Sequence, residues 1–337
     1  MKKAFFINGG AGRVLCSIPA LEYYRENVDP DVVIVSEGWS ELFLSTSLRN
    51  NVWPSGSKNL FHGALKDKEL ISPEPYKLNA YFNQKVNLIQ AFDILINGVD
   101  ETVESKPIKL DLGKHDQIYG YNLVNQVKAQ MQKDKVVVFQ PFGSGVQLDG
   151  NFIYDGSGRS FELRDVFRIV EELSKDYAII MMTNLKIPTD KPMGAAIPDN
   201  ANLLQWMGII NAADYFLGCD SVGQHYAHAL NKPATVVIGS TYPENISYPG
   251  NKNFTIIDNG AENRIYAPFR VTSDPSIERH NEDNMILTDE NYKKMISSVQ
   301  EKLGKTTKPK FPVIDNKKLS GKELFEKKIA ETVGGKK

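Results

Sequence analysis

Ile209-Ile210-Asn211-Ala212-Ala213-Asp214-Tyr215-Phe216-Leu217-Gly218-Cys219 leads into Asp220-Ser221-Val222-Gly223-Gln224-His225. Ala227-His228-Ala229-Leu230-Asn231-Lys232-Pro233 follows, then the run Ala234-Thr235-Val236-Val237-Ile238 and Gly239-Ser240-Thr241. This reads as helix, buried strand, polar turn, helix and buried strand. A strand that ends at an acid and a serine, with a helix opening at once, presents free backbone N–H groups and the positive end of a helix dipole. That is an anion site. Gly223 is expected to let a phosphate approach closely, and Ser221 to add a hydroxyl bond. Thr241 ends the next strand at the same sheet edge, where open α/β sheets bind their ligands. The same residues also fit an ordinary capped helix, with Asp220 and Ser221 serving only as caps.

The same grammar continues outward. Val136-Val137-Val138-Phe139 is a strand ending at Pro141-Phe142-Gly143-Ser144-Gly145, residues 161–174 are an amphipathic helix, and Ala178 to Met182 are a strand. Leu203 to Ala213 read as helix and Tyr215 to Cys219 as strand. At the start of the chain, Ala4 to Asn8 are a strand, a helix pattern carrying Pro19 follows, and Val32 to Val35 form a second strand. Phe92 to Ile96 are assigned to a further strand, and residues 50–85 to long loops over a site. Alternating strands and helices define an α/β class with parallel sheets. Two such series, joined near 100–133, predict two Rossmann-like domains facing a cleft. The expected limits are 1–115 for an acceptor domain, 116–305 for a nucleotide-sugar domain, and 306–337 for a basic linker and C-terminal helix. Ser320 and Glu323 form a capping-box pattern there, and Phe325, Ile329 and Val333 share one face.

Composition narrows the function. The 337 residues carry 40 lysines and arginines against 41 acids, a formal charge of −1. Bulk charge therefore gives no hold on nucleic acid. Residues 302–337 differ, with eleven lysines against four acids. That tail suits anionic lipid or phosphorylated glycan, suits DNA equally, and also suits a solvated helix packed on the body. Cys16 and Cys219 lack the spacing of a metal site or a disulfide framework and read as buried thiols. No apolar run approaches the ~18 residues of a membrane span. The opening Met-Lys-Lys-Ala-Phe-Phe-Ile imitates a signal peptide, but Asn8 to Arg13 break the apolar region, so it is read as a strand. Gly10-Ala11-Gly12 lacks the third glycine of a dinucleotide fingerprint, and there is no Walker lysine pattern. Asp29-Pro30-Asp31 is a turn before a strand. His62, His115 and His280 are solvated loop residues without ligand spacing, and no metal is expected.

The stretch from Ala212 to Thr241 resembles the heptosyltransferases, lipopolysaccharide glycosyltransferases of the B-type (GT-B) two-Rossmann fold. Ala212-Ala213-Asp214, Asp220-Ser221, His225, Lys232-Pro233 and the Gly239-Ser240-Thr241 turn recur in the family's order. Val222 stands where the family has its glycine, which here is displaced to Gly223. Arg159 takes the place of the family's phosphate-binding lysine, after a loop at 146–157 that is longer than usual. Gly9 to Leu21 are similar to the family's opening loop and helix, except that Arg13 replaces the aspartate thought to act as catalytic base. Arginine cannot accept a proton at neutral pH.

The resemblance implies a glycosyltransferase that takes a sugar from a nucleotide-diphospho-sugar co-substrate, needs no further cofactor or metal, and inverts the anomeric carbon in one displacement. The donor would meet Gly143, Ser144, Arg159, Asp220, Ser221, Val222, Gly223, Gln224, His225 and Thr241. The catalytic set would be Arg13 as an anion clamp, Arg159, His225, and Glu37 or Asp93 as replacement base. A lipopolysaccharide-type glycan or glycolipid is the implied acceptor. The implied location is the cytoplasm, at the inner face of the membrane, with peripheral attachment only. Two alternatives remain open at this point. One is glycosylation of hydroxymethylated DNA bases, as some viral transferases perform. The other is a non-catalytic sugar-nucleotide binding module, which the missing aspartate favours.

Overall fold

The computed structural model describes residues 2–149, 152–155, 157–187, 193–265 and 282–304. The expected linker and helix over 306–337, with Ser320, Glu323, Phe325, Ile329 and Val333, lie outside these residues, as does His280. Residues Met1–Thr307 form one compact unit. Among the described residues it contains two larger sheets, both parallel throughout, and one two-stranded antiparallel sheet.

The first sheet has the order β3-β2-β1-β4, from Val52–Pro54 (β3), Val33–Ser36 (β2), Lys3–Ile7 (β1) and Glu69–Ile71 (β4). Helix α1 (Ala11–Asn27) follows β1 and runs through Pro19 without ending there. The region 50–85, read as loops, therefore holds two short strands as well as α2 (Asn79–Phe82). Phe92 to Ile96 form no strand. They belong to helix α3 (Leu88–Asn97), opened by a reciprocal capping box between Asn87 and Gln90. A short apolar run fits a buried helix as well as a strand, and the cap decides between them.

The second sheet has the order β11-β10-β9-β5-β8, with β5 (Val136–Gln140), β8 (Ala178–Met181), β9 (Tyr215–Cys219), β10 (Ala234–Ile238) and β11 (Phe254–Asp258). Every residue of β5, β8, β9 and β10 is buried. Strands covered on both faces read as continuous apolar runs, which is why the sequence marks them so clearly. The long loop at 146–157 contains an antiparallel hairpin, β6 (Val146–Asp149) with β7 (Phe152–Asp155). Helices α5 (Leu163–Leu173), α6 (Leu203–Ala212), α7 (Val222–Ala229), α8 (Pro243–Ile246) and α9 (Asp289–Leu303) complete the half.

Helix α4 (Lys114–Met131) lies between the two sheets in sequence, in the region read only as a join. The boundary expected at 115/116 falls in its first turn. Its mostly polar surface hides it, because only Gly120, Val124 and Val127 are buried. It crosses α6 with the backbones nearly touching. A Cβ on Gly120 would sit 2.1 Å from the Gly208 carbonyl oxygen, and one on Gly208 would sit 2.1 Å from that of Asp116. One apolar cluster runs from Leu15, Ile18 and Phe92 through Val124 to Trp206, Val222 and Tyr226, so the core is continuous between the two sheets. No helix among the described residues is long and apolar enough to cross a membrane.

This crossing sets the first test. Gly208→Val should destabilise the protein by at least about 1–3 kcal/mol, the cost of overpacking a tight core. Gly250→Ala, where nothing lies within 4 Å, should stay within about 0.5 kcal/mol. Urea denaturation of both variants checks the pair.

Candidate active site

The C-terminal strand ends of both sheets converge on one cleft of about 490 Å³. Gly10 to Arg13 follow β1, Trp39 and Glu41 follow β2, Gln140 ends β5 with Phe142 to Ser144 beyond it, Met182 to Leu185 follow β8, and Asp220 to Val222 follow β9. Tyr76, Arg159, Trp206 and His225 complete the wall. A larger hollow of about 810 Å³ lies beside α1, lined by Glu22, Glu26, Arg49, Lys106, Lys109 and Asp111 among others. None of those residues caps a helix start at a parallel strand end, so size does not make it the site.

The start of α7 is built by a residue distant in sequence. Gln140, the last residue of β5, accepts from the Gly223 amide through Oε1 at 2.9 Å and donates from Nε2 to the Ser221 hydroxyl at 3.0 Å. Ser221 is the N-cap residue, and its own side chain makes no capping bond. The Gly223 amide is therefore taken, and Val222 is the first-turn amide left without a partner among the described residues. The reason for the glycine also changes. A Cβ on Gly223 would lie 2.5 Å from both Gln140 Oε1 and the Phe216 ring. Close packing against β5 and β9 requires it.

Asp220 is 2% exposed, and both its oxygens are occupied. Gln224 donates to Oδ1 and Thr241 to Oδ2, each at 2.8 Å. Burial pushes its carboxyl above the usual range, against Arg159, Thr241 and Gln224. Gly223, Gln224 and Thr241 thus stand behind the wall and brace it, while Asp220, Ser221 and Val222 line it. Arg159, half-buried, donates from Nε to Ser157 at 3.0 Å and from Nη1 to the Asp220 carbonyl at 3.5 Å. Burial works against its charge, but Asp220 and then Asp155 outweigh it, and its pKa is raised. Gly143 donates to Ser160, and Ser144 is exposed on the cleft close to Gly10 of the first half.

His225 reaches across to α1. A Cβ on Gly12 would lie 2.9 Å from its Nε2. Its Nδ1 shares a 2.6 Å hydrogen bond with the Tyr248 hydroxyl, and the Cys16 sulfur lies 3.6 Å away. Burial, then His228 and Arg159, pull its pKa down to about 3, so the ring is neutral near pH 7. Burial likewise pushes both thiols up, and Cys16 and Cys219 are buried and free, as the sequence suggests.

The first-half wall corrects three expectations. Arg13 lines the cleft, but its charge is already met. Nη1 donates to Glu74 at 2.7 Å, and Nη2 donates to the Pro73 carbonyl at 2.9 Å. Its guanidinium also lies 5.1 Å from the Tyr76 ring centroid. An arginine so engaged is a structural cation, not a free anion clamp. Glu37 is exposed and does not line the cleft. Asp93 is buried on α3, bonded to Lys106 and Asn97, and does not line it either. Glu37 was placed by its position after β2, and Asp93 by a strand expected at Phe92 to Ile96 that is part of helix α3. Sequence reasoning missed Gln140, Glu74, Glu41 and Trp39. Only the last two carried a signal, as polar and aromatic residues just beyond the turn after β2. Among the described residues no group of three or more His, Cys, Asp or Glu could hold a metal ion.

No protein-family model matches the sequence, and no curated protein matches it. The fold has clear relatives among solved structures. The ADP-heptose lipopolysaccharide heptosyltransferase II of E. coli superposes with a TM-score of 0.59 at 13% identity, over 89% of this chain and 99% of that one. A family 9 glycosyl transferase from Veillonella parvula gives 0.56 at 10% identity, over 89% and 96%. The iron-containing dodecameric glycosyltransferase TibC of enterotoxigenic E. coli gives 0.54 at 15%, over 89% and 77%. The chain therefore has the two-Rossmann GT-B fold, in the form seen in heptosyltransferases.

The Arg13–Glu74 pair is open to a direct test. Glu74→Gln leaves a guanidinium that is 2% exposed without its counter-charge. The expected loss is about 3 kcal/mol, the low end for a broken buried pair because Glu74 is partly exposed. Adding Arg13→Met should recover most of it, as measured by denaturant unfolding.

Proposed function

We propose that this protein is a glycosyltransferase that moves a sugar from a nucleoside-diphospho-sugar to a hydroxyl acceptor. The observation that carries this reading is the meeting of Arg159, Ser221 and the unpartnered Val222 amide at one wall of the cleft. A fixed cation beside a helix N-terminus suits a diphosphate. The apolar end of the cleft, with Met182, Leu185 and Trp206 beside Thr183 and Asn184, suits a nucleobase that needs a flat surface and a few polar partners. TibC has been solved with ADP-D-beta-D-heptose, and an ADP-sugar is the donor we propose. A lipopolysaccharide-type glycan is the proposed acceptor, by likeness to the E. coli enzyme.

The proposed reaction is a single inverting displacement without a metal. The acceptor oxygen attacks the anomeric carbon as its bond to the diphosphate oxygen breaks, and the electron pair leaves with the diphosphate. Arg159 and the α7 dipole then face the growing charge from fixed positions, so no reorganisation is needed during reaction. Asp220 contributes indirectly. Held by Gln224 and Thr241, it keeps Arg159 charged and in place. The DNA alternative rests on the tail outside the described residues, and nothing in the cleft favours it.

Arg159→Ala should reduce transition-state stabilisation by about 2–4 kcal/mol, the range for losing one such donor. Arg159→Lys should restore part of this, because charge returns without the planar fork. ADP release from ADP-heptose is the assay, with ADP affinity measured by calorimetry. Unchanged kinetics in the alanine variant would remove Arg159 from the diphosphate site.

A further inference from the structure

A displacement at the anomeric carbon needs a proton acceptor on the side away from the leaving diphosphate, and that side is the first-half wall. Arg13 cannot fill the role. Glu74 gives both its oxygens to Arg13, at 2.7 and 3.3 Å. Glu37 and Asp93 do not line the cleft. Asp220 lies on the diphosphate side with both oxygens engaged. His225 belongs to the second half, burial pulls its pKa down to about 3 so that it is a weak base, its Nδ1 is tied to Tyr248, and its Nε2 is packed against Gly12. That leaves Glu41, which lines the cleft from the first half and has no hydrogen bond or ion pair among the described residues. An unpaired carboxylate keeps its lone pairs available.

The turn that carries Glu41 is built to present it. Ser40–Ser45 is a 3₁₀ segment whose Leu42 and Phe43 are fully buried, which anchors it to the core. Its cap residue, Trp39, has φ 60°, in the left-handed region. A bulky residue there costs on the order of 1 kcal/mol or more and persists only where the surroundings hold it. The Leu42 amide donates to the Trp39 carbonyl at 3.1 Å, and the Ser36 hydroxyl closes the preceding turn on Gly38. The strained conformation leaves Trp39 on the cleft wall and 40% exposed, two residues from Glu41 and on the same wall as Tyr76. An exposed aromatic face beside a free carboxylate matches a pyranose, which has an apolar C–H face and a rim of hydroxyls.

We infer that Glu41 receives the proton of the acceptor hydroxyl, and that Trp39 is the surface on which the acceptor sugar ring stacks. The inference rests on the transferase reading above. In the step, the acceptor O–H proton passes to a Glu41 oxygen while the acceptor oxygen bonds to the anomeric carbon. The bond between that carbon and the diphosphate oxygen breaks, and its electron pair stays with the diphosphate. Glu41 afterwards returns the proton to water.

A crystal structure of the full chain with ADP-2-deoxy-2-fluoroheptose tests the placement. The Glu41 carboxylate is expected on the face of the anomeric carbon opposite the diphosphate, separated by room for one hydroxyl oxygen. A carboxylate on the diphosphate side, or screened from the carbon by another residue, overturns the inference. Kinetics give a second readout. Glu41→Gln should slow ADP release from ADP-heptose by about 100-fold or more, the usual share of a general base. ADP affinity should stay within about twofold, and Glu41→Asp should recover part of the rate. ADP release at the unmodified rate in the glutamine variant overturns the role of Glu41 and leaves the transferase reading standing. Failure of the unmodified protein to bind ADP removes the transferase reading itself.

Discussion

The buried carboxylate of Asp220 is the constraint on which the rest of the site depends. It sits just past the end of β9 and ties the start of α7 to the end of β10, through Gln224 on one side and Thr241 on the other. Its backbone carbonyl meets Arg159, which arrives from the far side of the β6–β7 hairpin. A carboxylate with this little solvent is costly unless every lone pair is answered. Each answering group is thereby fixed, and so is the cleft wall they form. Gln140 completes the wall by fastening β5 to the same helix start.

Charge is then divided unequally across the cleft. On the second half, Arg159 stays cationic, and the helix start adds a fixed positive potential. On the first half, Arg13 is cancelled by Glu74 and folded into the wall beneath Tyr76 and Phe92. Arg13 therefore adds no free positive charge to the first-half wall. Among the described residues, the first-half wall of the cleft keeps an unpaired carboxylate, Glu41, on the same wall as Trp39 and Tyr76. The Cys16, His225 and Tyr248 cluster spans from α1 to the second half, and its neutral members suit a contact with so little water.

How much of this was legible in the sequence follows from how local each signal is. Strands β5, β8, β9 and β10 of the second sheet announced themselves because they are apolar on both faces. The turn from Asp220 to His225 and the loop carrying Arg159 were found because their residues are close in sequence. Helix α3 was mistaken for a strand because its apolar run is short, although Asn87 and Gln90 carried the cap that identifies it. Helix α4 was missed because its burial depends on a glycine crossing with α6 that leaves no apolar stripe. Strands β3, β4 and β11 and helix α9 went unassigned, since short or half-buried elements are stabilised by neighbours distant in sequence. The same reason hid Gln140 and Glu74, whose partners lie 83 and 61 residues away. Gly223 was found, but the packing that requires it was not visible, because the atoms that exclude a side chain there belong to β5 and β9.

A diphosphate held by Arg159 and the start of α7 is what the proposed transfer requires. Hydrogen exchange with and without ADP reads this most directly, because it reports on the backbone amides themselves. Slower exchange is expected at Ser221–Val222, with no change around Glu22–Glu26 beside the larger hollow. Unchanged exchange at Ser221–Val222, with protection appearing at Glu22–Glu26 instead, would contradict the proposal.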